Sequence, residues 1–430
     1  MFIEKLTAES FEKMQKELLK RSTDSYPREE TVVSAILSRV RKEGDAALFA
    51  FEKEFDHCAL TKDTLYVSDE EVSEAYKAVP EEFVRIIRRA IGRIRHFHEQ
   101  QLPKSWFMTE DNGMVLGQKV LPLERVGVYV PGGKAAYPSS VLMNVIPAKT
   151  AGVKEILMCT PPGRDGLVTP TTLVAAKEAG VHKIVKAGGA QAIAAMAYGT
   201  ESVPKVDKIT GPGNIFVALA KRAVYGHVSI DSVAGPSEIT VLADGTADAH
   251  YVAADLLSQA EHDELASAIL VTTSETLAKD VIREIEEYLK TLSRAEIIRK
   301  SLDRFGHFFV ADTMEEAVEA VNAIAPEHLE IVTEEPFLMM TRIRNAGAIF
   351  IGPNSSEPLG DYFAGPNHVL PTNGTARFFS ALSVDDFIKK TSIIYSSKEA
   401  LGDLHEDIAA FANAESLTAH ANSVEVRFEK

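Results

Sequence analysis

Gln259 and His262, in Ser258-Gln259-Ala260-Glu261-His262-Asp263, carry the clearest chemistry in this sequence. The segment reads as the last turn of an apolar helix built on Val252, Ala253, Leu256 and Leu257. Helix residues three apart share a face, so one amide oxygen and one imidazole nitrogen could reach a common cation. Two neutral ligands hold a divalent ion weakly. A carboxylate and a second imidazole must come from elsewhere, and spacing alone does not select them. Only two cysteines are present, Cys58 and Cys159, so a metal here would use nitrogen and oxygen ligands, as zinc, manganese or iron accept. So few cysteines imply no disulfide framework and fit a reducing cytoplasm.

Other residues invite a role, each against a plainer one. Pro326-Glu327-His328-Leu329 sets a carboxylate beside an imidazole at the mouth of a strand, a pairing suited to proton transfer and water activation. By residue type alone, an ordinary surface pair is the better account. His368 lies in a glycine- and proline-rich loop seven residues after Asp361, and polar groups in such loops are more suggestive than those on helices. Cys159 ends a strand and could in principle form a thiohemiacetal. Nothing basic lies near it in sequence to lower its pKa, and a buried free cysteine usually behaves as a small hydrophobe.

These residues need a scaffold. At 430 residues the chain is too long for one ordinary core. No apolar run reaches the roughly 18 residues of a membrane span, and Met1-Phe2-Ile3-Glu4-Lys5 lacks a signal-peptide pattern. A net charge of −16 argues against nucleic acid and anionic membrane as partners. Residues 1–24 read as a short polar helix around Phe11, Met14 and Leu18, closed by the Ser25-Tyr26-Pro27 break. Helical periodicity continues through Val33–Val40 and Phe83–Phe97, with strand-like pieces from Cys58 to Val67.

From Arg125 the texture changes. Apolar runs at Val126–Val130, Glu155–Cys159, Lys183–Lys186 and Val206–Thr210 are each followed by a small-residue loop. A second series runs Glu238–Leu242, Ala268–Thr272, His307–Val310, Leu329–Val332 and Ala348–Ile351, with a clear helix over Leu277–Leu292. Such alternation predicts parallel sheets covered by helices. The glycine loops would then leave one edge of the sheet, where backbone N–H groups and helix N-termini can meet a phosphate. The G-x-G-x-x-G fingerprint is absent, and one glycine loop alone is more often turn chemistry. After residue 382 only a helix-like tail remains, too poor in apolar surface to fold alone.

Seven long motifs in order resemble the histidinol dehydrogenase family. They are Arg125-Val126-Gly127-Val128-Tyr129-Val130-Pro131-Gly132-Gly133, Ala187-Gly188-Gly189-Ala190-Gln191-Ala192-Ile193, Thr210-Gly211-Pro212-Gly213-Asn214 and Ala234-Gly235-Pro236-Ser237-Glu238. Ser258–His262, Ala325-Pro326-Glu327-His328-Leu329 and the loop from Gly360 to Phe378 also match, and Glu415-Ser416-Leu417-Thr418-Ala419-His420 resembles the family's last motif. The resemblance implies two incomplete Rossmann-like parallel-sheet domains with a helical N-terminal segment and a C-terminal tail. The boundaries expected are 1–24 for the N-terminal segment, 25–124 with 238–381 for the domain of the metal and catalytic residues, 125–237 for the NAD-binding domain, and 382–430 for a tail that acts as a dimer arm.

The resemblance further implies a cytoplasmic homodimer that oxidises L-histidinol to L-histidine through L-histidinal and reduces two NAD, ending histidine biosynthesis. One zinc per subunit would be held by Gln259, His262, Asp361 and His420. Glu327 and His328 take the catalytic positions. Tyr129, Gln191 and Asn214 take the NAD contacts. Ser237, Gln259, His262, His328, Asp361, His368, Glu415 and His420 take the substrate contacts, with Glu415 and His420 supplied by the neighbouring subunit. Two rivals stand beside this: a metal-free, aldehyde dehydrogenase-like enzyme using Cys159, and a zinc-stabilised scaffold without catalysis.

Overall fold

The computed structural model describes residues 2–21, 26–132, 137–233 and 235–429. Gly133, Ala234 and Ser25, named in motifs above, lie outside the described residues. Along the chain the strands are β1 (Ile3–Lys5), β2 (Trp106–Thr109), β3 (Val115–Pro122), β4 (Arg125–Tyr129), β5 (Glu155–Thr160), β6 (Lys183–Lys186) and β7 (Lys208–Thr210). They continue as β8 (Ser229–Ile230), β9 (Glu238–Ala243), β10 (Ser267–Thr272), β11 (Gly306–Val310), β12 (His328–Val332), β13 (Ala348–Ile351) and β14 (Ile388–Tyr395).

One compact unit comprises Met1–Gln101 and Leu123–Phe387. It holds two wholly parallel sheets, ordered β6-β5-β4-β7-β8 and β1-β11-β10-β9-β12-β13. Numbered from their own first strands, β4 and β9, both sheets share the order 3-2-1-4-5. That is the dinucleotide-binding order without its sixth strand. The second sheet gains β1 at its edge, laid along β11 with Ile3 opposite Phe308. Helices cover both faces, so the central strands are buried throughout: Glu238–Ala243, Ser267–Thr272 and His328–Val332 expose almost nothing. This architecture agrees with the expected fold class.

Local chemistry explains the helices that matter. Asp248 caps Ala249–Ala260 by accepting from the His250 N–H. Val252, Ala253, Leu256 and Leu257 then bury one face against the core under β9 and β10. A crossover helix runs antiparallel to its strands, so this one ends at the sheet edge where β9, β10 and β12 begin. That brings Gln259 to the start of β12 and to His328.

The second compact unit comprises Leu102–Pro122 and Ile388–Lys430. It contains an antiparallel sheet ordered β14-β3-β2 and the helices Lys398–Gly402, His405–Ala414 and Thr418–Glu425. Residues after 382 are therefore not purely helical, as the sequence suggested. β14 pairs with β3 from Ile388↔Pro122 to Tyr395↔Val115, a long-range pairing that local periodicity does not announce. The buried core among its helices is Ala409, Ala412 and Ala421. The strand-like stretch near Val67 reduces to a bridge between Tyr66 and Val185.

Candidate functional site

Gln259 is fully buried at the end of its helix. Its Nε2 donates to the Glu238 carbonyl at 3.2 Å and lies 2.9 Å from His328 Nδ1. With the amide nitrogen engaged, Oε1 is buried and has no hydrogen-bond partner among the described residues. An orphaned buried oxygen is costly, and a cation beside it removes the cost. Nearby, ligand atoms of His262, Glu357 and Asp361 lie within 4.8 Å of one another. Asp361 stands on a single π-helical turn, Gly360–Ala364, a geometry frequent at functional sites. The sequence reading missed Glu357. Its signal was the four-residue spacing to Asp361 along a helical run, which sets both carboxylates on one side.

Glu327 and His328 converge on the backbone of one residue, Glu238. The Glu238 N–H donates to Glu327 Oε2 at 2.9 Å, and His328 Nδ1 lies 3.0 Å from the Glu238 carbonyl. Glu327 Oε2 is 3.6 Å from the same Nδ1. His328 Nε2 faces the other way, 3.9 Å from Glu357 Oε1, with no hydrogen-bond partner among the described residues. Glu238 is itself held by a buried ion pair with Arg21.

Electrostatics show what the cluster lacks. Burial alone would depress the His328 imidazole, but Glu327, then Glu357 and Asp361, outweigh it and raise it to about 9. Burial and the Asp361 carboxylate push Glu357 up to about 7. Burial also raises Asp361, against the pull of His328. His368, whose Nδ1 is 3.6 Å from Asp361 Oδ1, is driven down to about 4 by burial and by His328. Three carboxylates round one buried imidazole, with an orphaned amide oxygen, form a donor set suited to a divalent cation of nitrogen–oxygen preference.

A proline fixes the loop that carries His368. Pro147 lies inside the helix Pro138–Ala151 and has no N–H for the Met143 carbonyl four residues earlier. Asn367 Nδ2 donates to that carbonyl at 2.6 Å, and Asn367 Oδ1 accepts from the Val369 N–H at 2.9 Å. Ser237 sits immediately before β9, its carbonyl accepting from Ser267 N–H at 3.0 Å. Glu415 closes the helix His405–Ala414 and His420 stands in Thr418–Glu425, both in the second unit.

At the other sheet, the loops after β4 to β7 do gather at the C-terminal edge. Three of their amides, however, are already taken by side chains. Gly188 N–H donates to Glu52 Oε1 at 3.2 Å, Gly189 N–H to the Tyr129 hydroxyl at 3.0 Å and Gly211 N–H to Asp231 Oδ2 at 2.8 Å. Asn214 Oδ1 caps the following helix, accepting from Phe216 and Val217. For Gly188, Gly189 and Gly211 the expectation that the loop amides are open to a phosphate is therefore corrected: side chains of the protein fill that role. Gln191 is buried, with Nε2 on Glu52 Oε1 at 3.0 Å. Cys159 is completely buried in β5, and burial, with Glu52 adding to it, pushes its thiol far above the usual range. A thiol so placed holds its proton and offers little thiolate for attack.

The family model for histidinol dehydrogenase matches residues 19–428. The chain belongs to the histidinol dehydrogenase family. The histidinol dehydrogenase of Halalkalibacterium halodurans is 58% identical over 412 residues, 96% of this chain and 97% of the relative. That of Bacillus subtilis is 56% identical over 410 residues, 95% and 96% of the two chains. The crystal structure of histidinol dehydrogenase from Elizabethkingia anophelis aligns with a TM-score of 0.93 at 37% identity, covering 99% of this chain and 97% of that one. As a member of this family the protein is an oxidoreductase. Among the described residues no helix is long and apolar enough to cross a membrane.

Proposed function

We propose that this protein oxidises L-histidinol to L-histidine through L-histidinal, with two NAD reduced and one zinc per subunit. The observation that carries the metal is the orphaned Oε1 of Gln259, a residue whose Nε2 touches His328, the imidazole crowded by three carboxylates. Gln259, His262 and Asp361 would hold zinc, with His420 of the partner subunit as the fourth ligand, and Glu357 is a further carboxylate within the same cluster. Zinc, when bound, would orient the substrate's imidazole and amine and offset the carboxylates. NAD, when bound near Tyr129, Gln191 and Asn214, would accept each hydride.

The chain's own residues do the proton chemistry. With a bound cation offsetting the carboxylates that otherwise keep the ring protonated, and Nδ1–H on the Glu238 carbonyl, His328 would present a bare Nε2 to the substrate side. That nitrogen takes the hydroxyl proton as the alcohol carbon loses its hydride. Glu327, fixed through Oε2 by the Glu238 amide, activates the water that hydrates the aldehyde. His328 then takes the hydrate's proton as the second hydride leaves. This chain's Ser237 and His368, with Glu415 of the partner subunit, complete the substrate contacts. No cysteine adduct is required.

A shared site fits the second unit, whose small alanine core leaves Phe107, Ile394 and Phe411 exposed. Apolar surface of this kind supports packing in a homodimer. A cytoplasmic setting is part of the same proposal. The decisive experiment counts NADH formed per L-histidinol consumed, before chelation, after it, and after zinc return. Two NADH, lost on chelation and restored by zinc, is the expected result. One NADH with free aldehyde would refute the hydration step.

A further inference from the structure

Buried beneath the nucleotide-side loops is an ion pair with no part in the chemistry above. Lys221, on the helix Ile215–Val224, and Asp231 form a salt bridge, their side chains 2% and 4% exposed. Both turn toward a single residue. Lys221 Nζ donates to the Gly211 carbonyl at 2.9 Å, and Asp231 Oδ2 accepts from the Gly211 N–H at 2.8 Å. Gly211 has φ +118°, and a Cβ there would stand 2.0 Å from the Tyr129 carbonyl oxygen. The ends of β4 and β7 thus meet at the closest approach a backbone allows, and only glycine fits.

We propose that Lys221 and Asp231 are positioning residues for the dinucleotide, acting through Gly211. Gly211 adjoins the backbone of Tyr129 and precedes Asn214 by three residues, so it sits between two of the three proposed NAD contacts. Holding both its N–H and its carbonyl fixes where each of them points. Folding alone does not call for such a pair. Desolvating two charges is expensive, and well-packed apolar residues of similar size usually stabilise a core as well or better. The neutralised pair also adds no net charge at the loop, so its influence on an anionic ligand is geometric rather than coulombic. The clamp rests on the NAD reading above.

The test uses the full-length protein carrying Lys221→Met with Asp231→Asn, which leaves no lone buried charge, beside Asp231→Asn alone. NADH binding is followed by fluorescence, and KM is measured separately for NAD and L-histidinol. Both variants are expected to melt cooperatively and keep KM for L-histidinol within about twofold. In the double variant the NADH Kd and the NAD KM rise at least about tenfold, and Asp231→Asn, which keeps the Lys221 donor to the Gly211 carbonyl as well as an acceptor for the Gly211 amide, shows a smaller rise. A double variant that binds NADH as the parent does overturns the clamp. If it does not fold, Asp231→Asn decides alone: no change in NADH Kd overturns the clamp, and a selective rise supports it. A parent protein that binds no NADH overturns the cofactor reading itself, and the clamp with it.

Discussion

Replacing Glu327 by Gln separates two duties of one carboxylate. The fold tolerates the change, because the Gln amide oxygen can still accept from the Glu238 N–H that now holds Oε2 at 2.9 Å. What disappears is charge and basicity. At 3.6 Å from His328 Nδ1, with an effective dielectric of about 20, a carboxylate and an imidazolium attract by roughly 4–5 kcal/mol. Both groups are buried, so solvent screens the pair little. His328 takes a proton in both oxidations, so losing this attraction slows both alike. Activating water belongs to the aldehyde step alone, and loss of a general base there costs about 10²–10⁴-fold more, or roughly 3–5 kcal/mol of barrier. The assay is single-turnover NADH formation started from L-histidinol and, separately, from L-histidinal. Glu327→Gln is expected to slow the aldehyde reaction at least about tenfold more than the alcohol reaction, with Tm nearly unchanged. Equal slowing would refute the hydration role and leave Glu327 acting only through His328.

Three further outcomes are expected. Mixing inactive His262→Ala with inactive His420→Ala chains should restore about a quarter of parental activity, since half the dimers are mixed and each has one complete site; no recovery shows that His420 serves its own chain. Cys159→Ser should keep kcat within about twofold while Tm falls, because a hydroxyl without a partner in that buried position costs roughly 1–3 kcal/mol; a dead, folded enzyme would bring the thiohemiacetal route back. Glu52 is raised well above the ordinary carboxylate range, by burial first and then by Asp56, so the folded state holds its proton more tightly than the unfolded one. Stability from that group is complete below the unfolded pKa and is lost as pH rises toward the folded one. Glu52→Gln should therefore raise Tm relative to the parent in neutral and alkaline buffer but not near pH 4, and melting curves across that range would expose the opposite trend.

The two parallel sheets were legible because strands buried on both faces read as short apolar runs, each closed by a small-residue loop. β14 was not. Its residues, Ile388-Lys389-Lys390-Thr391-Ser392-Ile393-Ile394-Tyr395, mix charge with apolar positions, and its partner β3 lies far back in the chain. The end of the helix Ala249–Ala260 was visible in its periodicity, and Gln259 with His262 followed from spacing. Asp361 and His420 came only from family resemblance. Glu238 escaped notice as a hub because its backbone N–H and carbonyl, not its side chain, hold Glu327, His328 and Gln259, and these backbone groups look the same in every residue but proline. The occupied amides of Gly188, Gly189 and Gly211 escaped for another reason. Their acceptors, Glu52, Tyr129 and Asp231, come from other segments, and a glycine loop looks the same whether its amides are free or taken.

Pro147 and Asn367 have a consequence for how this sequence can change. Proline at 147 withdraws the helical donor from the Met143 carbonyl, and the amide of Asn367 supplies one instead. Any other residue at 147 restores a backbone donor to the same oxygen, so the bond from Asn367 is no longer the one that replaces it. Conversely, an apolar residue at 367 leaves that carbonyl stranded in the core for as long as proline remains. The two sites, far apart in the chain, thus constrain each other's permitted alphabets. Loss of the Asn367 amide is therefore costlier with proline at 147 than it would be with any residue that carries a backbone N–H there.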